Sequence, residues 1–555
     1  MNLKHLKYII GILAAVGLAS CGDNFLNKVP DNGYVEDNFY ANDEAVVAST
    51  GPLYNRAWFD YNSRSILLLG SLRANDVYSP YNFPQFVLFT VDALNTELGQ
   101  AWQGLFSVVT MANATIDNVS TKCSSEVTEK TRQTAIAEAR LMRACAYYYA
   151  VHIWGPVILF EHNQEVVDNP VRPRNYEEDV FQFIIRDLEF AAEHLPDTSF
   201  APGRATCWSA KAMLAKVYLS RSGWNRTERN QEDLDKSKQL CLDVINNSGA
   251  SLMEDYHDLF KYRHNNNVES LLQLQWYASS ECQWYVCNTL NSDLCGDSKM
   301  MGGVASWSAY GPGAEMLMQY RYKGQNGEYK WEKIRRDATF VTPGVHYDYI
   351  CKEEGGYTYT GTSSIIKKGV PGGPDDDNDG FVSAMNSPLN TYIIRLANVY
   401  LTYTEACLGN KEFISGDDIR YFNALRRRAG IDEAATVTLD DLIRENRVEF
   451  SMEYQNWYYL IDLYKWKPAK MLEYFNNQYR GYTWDEIEIG ENQEITFKSN
   501  NEDWKVYTDT PFGPISEPSV KANVTADNIF VPYPESDVIQ NPLLKAEPEH
   551  YKFND

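Results

Sequence analysis

The sequence has 555 residues and a formal net charge of −24, from 51 Lys and Arg against 75 Asp and Glu. An acidic balance of this size argues against a nucleic-acid partner, because phosphate groups bind to basic surfaces. The length is sufficient for several domains, yet no linker rich in Ser, Gly or Pro divides the chain cleanly.

The first residues have the composition of a secretory signal. A basic start with Lys4 and Lys7 is followed by an apolar run from Tyr8 to Leu18. That run is shorter than the roughly 20 residues that a membrane-spanning helix needs, and it ends in small residues. We therefore expect residues 1–20 to be a signal peptide that is removed.

The sequence Leu18-Ala19-Ser20-Cys21 resembles the bacterial lipobox. In that motif the chain is cut before the cysteine, whose thiol takes a diacylglycerol and whose new amine is acylated. Several acyl chains anchor a protein stably where a single chain is marginal. The sequence thus predicts lipidation of Cys21 and an extended tether over 21–34. The alternative is a secreted protein with a chance cysteine after its signal.

Amphipathic patterns follow in chain order and predict a mainly α body. They cover 43–58, 96–119, 126–153, 175–196, 206–223, 230–247, 390–409, 416–430 and 438–466. Small residues such as Ala205 and Ala210 lie where helices would cross, as in tetratricopeptide repeats, whose helical hairpins bury their faces against their neighbours. We expect a scaffold of tetratricopeptide-like helical hairpins over about 35–250 and 390–470.

The stretches 252–389 and 481–534 have a different character. Gly, aromatic and polar residues mix there, and apolar runs are short. Binding residues usually lie on loops that a rigid scaffold carries. We predict that these stretches form a loop-rich, irregular layer with few short strands, which rests on the helices and holds the ligand site.

Ordered motifs along the chain make a family resemblance specific. They are SCGDNFLNKVP, AEARLMRACAYYYAVHIWGPVIL, GRATCWSAKAMLAKVYL, RLANVYLTYTEA, FNALRRRAGI, RENRVEFSMEYQNWYYLIDLYKW and IFVPYPESDVIQNPLL. With these motifs the chain resembles the RagB/SusD family of surface-exposed, glycan-binding lipoproteins of the Bacteroidetes. Two positions depart from the family pattern: Asn446-Arg447 replaces an arginine pair, and NWYYLIDLYKW replaces an ending of the type RWFDLRRW.

The resemblance implies both a fold and a role. The fold has four tetratricopeptide-like helix pairs supporting a loop-rich, ligand-binding face, all within a SusD-like domain over 35–555. The role is to bind oligosaccharide or polysaccharide at the outer membrane, facing the cell exterior, and to deliver it to a SusC-like TonB-dependent transporter. The protein then touches the membrane only through its lipid anchor. The resemblance does not identify the glycan or its linkage.

Sugar binding needs flat apolar faces for ring C–H groups and planar polar groups for hydroxyls. Such residues collect in 59–86, 275–288 and 302–313. The predicted ligand-contacting residues are Asp60, Asn62, Asp76, Tyr78, Tyr81, Trp102, Tyr277, Trp284, Tyr285, Trp307 and Tyr310. Trp102 belongs to a helical pattern, and it is included because the resemblance places ligand residues near the start of that helix. For each residue the alternative is packing against the helical layer.

A short acidic stretch offers a candidate calcium site. Asp375, Asp377 and Asp379 alternate and are followed by Gly380, as at positions 1, 3, 5 and 6 of an EF-hand loop. Alternating carboxylates of this kind can wrap a calcium ion. Position 12 is Asn386 rather than a bidentate glutamate, so a solvated acidic turn is the alternative. The sequence requires no other cofactor.

Two further features bear on function. The sequence contains no HExxH, G-x-S-x-G, P-loop or dinucleotide motif, and nothing marks a particular glycosidase carboxylate pair, so we predict a binding protein and not an enzyme. The cluster Arg426-Arg427-Arg428 is expected to pair with carboxylates of neighbouring helices in this acidic chain. Arg395 heads a helix, and a salt bridge is one alternative for it. A peptide-binding member of the same family and a helical-repeat adaptor between proteins stay open as alternatives.

Overall fold

The computed structural model describes residues 39–553, except 80–82, 281–283, 305, 308, 325, 362–363, 373–381, 479, 481–486, 490–494 and 498–521. The signal peptide, Cys21 and the tether lie outside the described residues. Helices dominate, which confirms the predicted mainly α class. Within the described part, every helix is too short or too polar to cross a membrane.

Long helices make up the N-terminal part, and shorter ones follow. The first are α1 (Asp43–Ser49), α2 (Pro84–Leu88), α3 (Thr96–Lys122), α4 (Glu129–Trp154), α5 (Asn163–Asp168), α6 (Glu177–His194), α7 (Cys207–Gly223) and α8 (Gln231–Asn247). The later ones are α9 (Asn291–Leu294), α10 (Ala314–Met318), α11 (Ile334–Thr339), α12 (Leu396–Leu408), α13 (Arg420–Arg428), α14 (Leu439–Phe450), α15 (Asn456–Trp466), α16 (Pro468–Asn476) and α17 (Glu535–Gln540).

The long helices pack in sequence order, α3 with α4, α7 with α8, and α6 with both α4 and α7. Their ends carry the expected caps: the side chain of Asn95 accepts from Leu98 N at the start of α3, and Thr128 accepts from Thr131 N at the start of α4. Gly155, at a φ of 75°, follows the end of α4. The helical hairpins that the sequence predicts therefore form the scaffold.

The strands are two to five residues long. They are β1 (Val77–Tyr78), β2 (Ser270–Leu274), β3 (Gly311–Pro312), β4 (Arg321–Lys323), β5 (Tyr329–Trp331), β6 (Phe340–Val341), β7 (His346–Tyr347), β8 (Tyr357–Thr358), β9 (Ile365–Ile366), β10 (Thr391–Arg395), β11 (Phe413–Ser415), β12 (Thr436–Thr438), β13 (Ile487–Ile489) and β14 (Ile495–Phe497). The antiparallel pairs are β1–β3, β2–β10, β4–β5, β6–β9, β7–β8, β11–β12 and β13–β14. Most lie between α8 and α12, in the predicted loop-rich layer.

One continuous apolar core joins the helices to this layer. It begins with Leu53, includes buried residues of α3, α4, α6, α7 and β2, and reaches Leu544 near the C-terminus. The loops are therefore fixed on the scaffold by packing.

Buried ion pairs add a second connection between the two layers. Arg395, at the end of β10, pairs with Glu269 before β2 at 2.5 Å and with Glu449 in α14 at 2.8 Å. Arg335 in α11 reaches Glu449 at 2.8 Å, and Arg428 in α13 reaches Glu269 at 2.6 Å. We call these five residues, with Glu332, Lys368, Glu445 and Glu453, the ion-pair cluster. The expected pairing of Arg428 with carboxylates is confirmed, and Arg395 forms the salt bridge that was one alternative for it.

Candidate functional site

Four of the predicted aromatic side chains in the loop-rich layer are exposed to solvent. The exposed fractions are 57% for Tyr277, 46% for Trp284, 43% for Tyr285 and 51% for Trp307. Side chains of this size are usually largely buried, so a group of exposed rings indicates a binding surface. We call these four residues the aromatic patch, and all four belong to the predicted set.

Trp284 and Tyr285 both rest on one buried ring. Their ring centroids lie 5.2 and 5.1 Å from that of Phe59, with edge-to-face geometry. Consecutive side chains of an extended segment point to opposite sides, but Tyr285 has a φ of 77° in the left-handed region, which turns the chain. The guanidinium of Arg56 lies 5.2 Å from the Tyr285 ring centroid. Both exposed rings are thus held in place from below.

Trp307 is fixed by a different device. Its indole Nε1 donates to Asp293 Oδ1, and its backbone N donates to Ser292 O at 3.0 Å. Asp293 itself is buried. Burial raises the pKa of Asp293, while the Trp307 hydrogen bond and the charge of Arg64 oppose that shift. The carboxylate therefore orients the indole ring at the protein surface.

Hydrogen bonds hold the loops of the patch together. Tyr277 N donates to Val286 O at 2.8 Å, which places Tyr277 beside the Trp284–Tyr285 turn. Met385 N donates to Ser292 Oγ at 2.8 Å, and Met385 O accepts from Cys287 Sγ at 3.5 Å. Met385 thereby connects the loop of Trp284 to the loop of Trp307.

A π-helical turn, Tyr61–Ser65, lies beneath the patch. Asp60 is partly exposed and directly follows Phe59 in the chain. Arg64 is partly buried, and its guanidinium lies 5.5 Å from the Phe83 ring centroid. Its Nε has no hydrogen-bond acceptor among the described residues. The sequence prediction missed Arg64, although it lies in the same polar-aromatic segment as Asp60.

Two predicted polar residues are buried inside the protein. Asn62 accepts from Thr391 Oγ1 at 2.9 Å, so it joins its π-helical turn to β10. Asp76 accepts from Asn456 Nδ2 at 3.0 Å and lies 3.8 Å from Arg447. Burial raises the pKa of Asp76 to about 7 although Arg447 and Asn456 oppose the shift. Burial removes both side chains from the surface, and the prediction of ligand contact is corrected for them.

Three predicted aromatic residues also pack in the protein. Trp102 lies in the core, with its ring centroid 5.0 Å from that of Trp154, as its helical spacing allowed. Tyr310 is buried beside β3. Tyr78 in β1 is half-buried opposite Gly311, and burial raises its pKa. The prediction is corrected for Trp102 and Tyr310, because their neighbours cover them.

The remaining predicted site residues lie elsewhere in the chain. Tyr81 and the candidate calcium ligands Asp375, Asp377 and Asp379 lie outside the described residues. Elsewhere Glu178, Asp179 and His550 bring metal-type ligand atoms within 4.8 Å of one another. Asp179 already accepts from Tyr551 N at 2.9 Å, which fixes the C-terminal segment. That group lies at the start of α6 and near the C-terminus, in other parts of the chain than the residues of the patch.

Comparison with known proteins places the chain in a family. The sequence profile of the SusD family matches residues 278–550, and a profile described as starch-binding associating with outer membrane matches residues 24–219. A SusD-like protein of Bacteroides ovatus is 54% identical over 551 residues, which is 99% of either chain. The chain belongs to the SusD family, as the resemblance predicted. This is a family of carbohydrate-binding proteins and not of enzymes.

Solved structures agree with the fold. One solved structure, determined with xylogluco-oligosaccharide, is 54% identical to this chain and has a TM-score of 0.83. The match covers 92% of this chain and 100% of the chain in that structure. A laminarin-binding SusD-like protein is 19% identical, with a TM-score of 0.62. That match covers 90% of this chain and 98% of the other chain. The second likeness concerns the fold alone.

Proposed function

We propose that this protein is a lipid-anchored receptor of the outer membrane that binds a xyloglucan-type glycan outside the cell. The observation that carries the proposal is the aromatic patch, four exposed rings in a chain 54% identical to one solved with xylogluco-oligosaccharide. The bound glycan then passes to a SusC-like TonB-dependent transporter for uptake, the partner that the family resemblance implies.

The geometry of the patch suits sugar rings. Pyranose rings present flat faces of C–H groups, on which Trp and Tyr pack at low cost in side-chain entropy. Asp60 offers acceptors and Arg64 offers donors for hydroxyl groups beside the rings. Because Phe59 and Asp293 already fix the rings, little further ordering is needed when a ligand binds.

The first described residues lie away from the patch. Tyr40 O accepts from Ser124 N at 3.0 Å, just beyond the end of α3. The π-helical turn beneath the patch instead crosses the first half of α3, where Gly104 lies against the backbone of Tyr61. Gly104 and the end of α3 are about 27 Å apart at 1.5 Å per residue. This separation is compatible with the proposed anchor at Cys21.

Glycan affinity tests the proposal. We expect the mature chain to bind xyloglucan, measured by affinity electrophoresis and calorimetry against a panel that includes laminarin and starch. Trp284→Ala and Trp307→Ala should each weaken binding about tenfold or more, because each removes a flat, pre-positioned face.

Tyr329→Ala provides the matched control. Tyr329 is also an exposed ring of the loop-rich layer, but it lies in β5, where Arg321 covers it at 4.1 Å. Its loss should leave glycan affinity unchanged. A folded wild-type chain that binds no glycan of the panel would contradict the proposal and favour a peptide ligand or the adaptor role.

A further inference from the structure

A second concave surface lies between the α6–α7 connection and β2. Residues 197–208 form one wall, and residues 248–250 and 266–273 form the other. Its volume is about 360 Å³, within the range of roughly 300–1,000 Å³ that small-molecule sites occupy. We call it the β2 groove.

One wall of the β2 groove carries a fixed aromatic ring. The indole Nε1 of Trp208 donates to Asp197 O at 2.9 Å, and Lys211 Nζ lies 4.5 Å from the ring centroid. The groove thus has an indole ring held in place before any ligand binds.

The opposite wall carries amide side chains. Gln273 Oε1 accepts from Asn266 N at 2.9 Å and from Asn390 Nδ2 at 3.2 Å, and Asn266 Nδ2 donates to Gln275 Oε1 at 2.8 Å. Among the described residues, both hydrogen bonds of the Gln273 side chain use its Oε1, so its Nε2 remains able to donate. An amide donor in the lining of the groove suits a ligand that offers an acceptor oxygen.

One short segment of the chain joins the groove to the aromatic patch. Gln275 N donates to Tyr54 O at 2.8 Å, and Tyr277 of the patch follows two residues later. Gln273 in the groove lining and Tyr277 are four residues apart, so their Cα atoms lie within about 14 Å of each other.

We propose that the β2 groove is a second carbohydrate subsite, which holds sugar units of a long glycan beyond those on the aromatic patch. Ring faces beside neutral amides suit a hydroxyl-rich, uncharged ligand. This inference rests on the proposed function, because it assumes that the patch binds the first sugar units. A long chain contacts both surfaces, whereas a short oligosaccharide contacts the patch alone.

Affinities for a long and a short probe test this subsite. The probes are xyloglucan polysaccharide and a short xylogluco-oligosaccharide. Val268 lines the groove and is 57% exposed, so Val268→Lys adds bulk there without disturbing the core. We expect it to weaken polysaccharide binding about threefold to tenfold, the loss expected for one or a few hydrogen bonds. Binding of the short probe should not change.

Val167→Lys is the matched control, because Val167 in α5 is also exposed, at 72%, and lies outside the groove lining. It should change neither affinity. Gln273→Met removes the amide donor and should weaken polysaccharide binding as Val268→Lys does. Thermal unfolding checks that this variant is folded. If it is not, the result for Val268→Lys alone tests the subsite.

Unchanged polysaccharide affinity in Val268→Lys, or an equal loss for both probes, would overturn the second subsite. The proposed function would still hold in that case if the wild-type chain binds the glycan and Trp284→Ala abolishes that binding. A wild-type chain that binds neither probe would overturn both.

Discussion

The aromatic patch and the ion-pair cluster each reverse the usual placement of their residue types. The patch exposes Trp and Tyr rings, and the cluster buries Arg and Glu side chains completely. The rings of the patch pack on their supports from one side only, whereas the charges of the cluster meet opposite charges on several sides. Exposed rings are therefore available to an outside partner, while the buried charges already have partners within the chain.

This difference separates binding from stability. The cluster joins α11, β10, α13 and α14, which come from both layers of the fold, so its loss should loosen the platform that carries the patch. Removal of an exposed ring leaves no unpaired buried charge. We therefore expect changes in the cluster to act on unfolding and changes in the patch to act on ligand affinity.

Two adjacent arginines give the largest expected contrast. The side chain of Arg428 is only 4% exposed and pairs with Glu269 at 2.6 Å, whereas that of Arg427 is 57% exposed and pairs with Glu433 at 2.6 Å. Arg428→Met should lower the free energy of unfolding by about 3 to 5 kcal/mol, because it leaves buried carboxylates short of a cation. Arg427→Met should change it little, since exposed pairs contribute little. Urea denaturation of both variants measures the difference, and equal effects would refute the contrast.

Lowering the pH should reduce the stability difference between wild type and Arg428→Met. Burial raises the pKa of Glu449, but Arg428, Arg395 and Arg335 outweigh it and hold the pKa well below the usual 4.5. A carboxyl group with a lowered pKa in the folded state stabilises the fold above its unfolded pKa and loses that contribution as the pH falls. Without Arg428 the pKa of Glu449 is lowered less, so the variant loses less on acidification.

The stability gap between wild type and Arg428→Met should therefore stay constant from pH 7 to about 4.5 and narrow as the pH falls further. Urea denaturation at a series of pH values measures the gap. The gap between wild type and Arg427→Met should stay near zero throughout. A gap that stays constant or widens below about pH 4.5 would show that Arg428 does not stabilise Glu449 electrostatically.

Helical periodicity was sufficient to predict the scaffold. The pattern over 126–153 corresponds to α4, and that over 230–247 corresponds to α8, because each has one apolar face and a clear cap. The pattern over 43–58 predicted one helix, but only α1 forms there. Gly51 and Pro52 follow α1, and two short 3-10 turns replace the rest of the helix.

The site was only partly predictable because burial depends on distant partners. Asp76 and Asp60 lie in similar polar-aromatic sequence, yet Asp76 is covered by Asn456, 380 residues later in the chain. Asn62 likewise bonds to Thr391, 329 residues away. No local pattern contains such contacts. The rings of the patch were predictable because they lie in polar or Gly-containing loops, where no amphipathic spacing assigns them to the core.

The smallest expected effect concerns how Trp307 is held in the patch. Asp293→Asn keeps an acceptor for the indole Nε1 but removes the charge that strengthens the hydrogen bond. We expect glycan affinity to fall only about two- to threefold, less than in Trp307→Ala. If Asp293 acts only by positioning Trp307, the double variant should bind no more weakly than Trp307→Ala alone, because positioning has no effect once the ring is gone. Additive losses in this double-mutant cycle would instead place the Asp293 carboxylate in direct contact with the glycan.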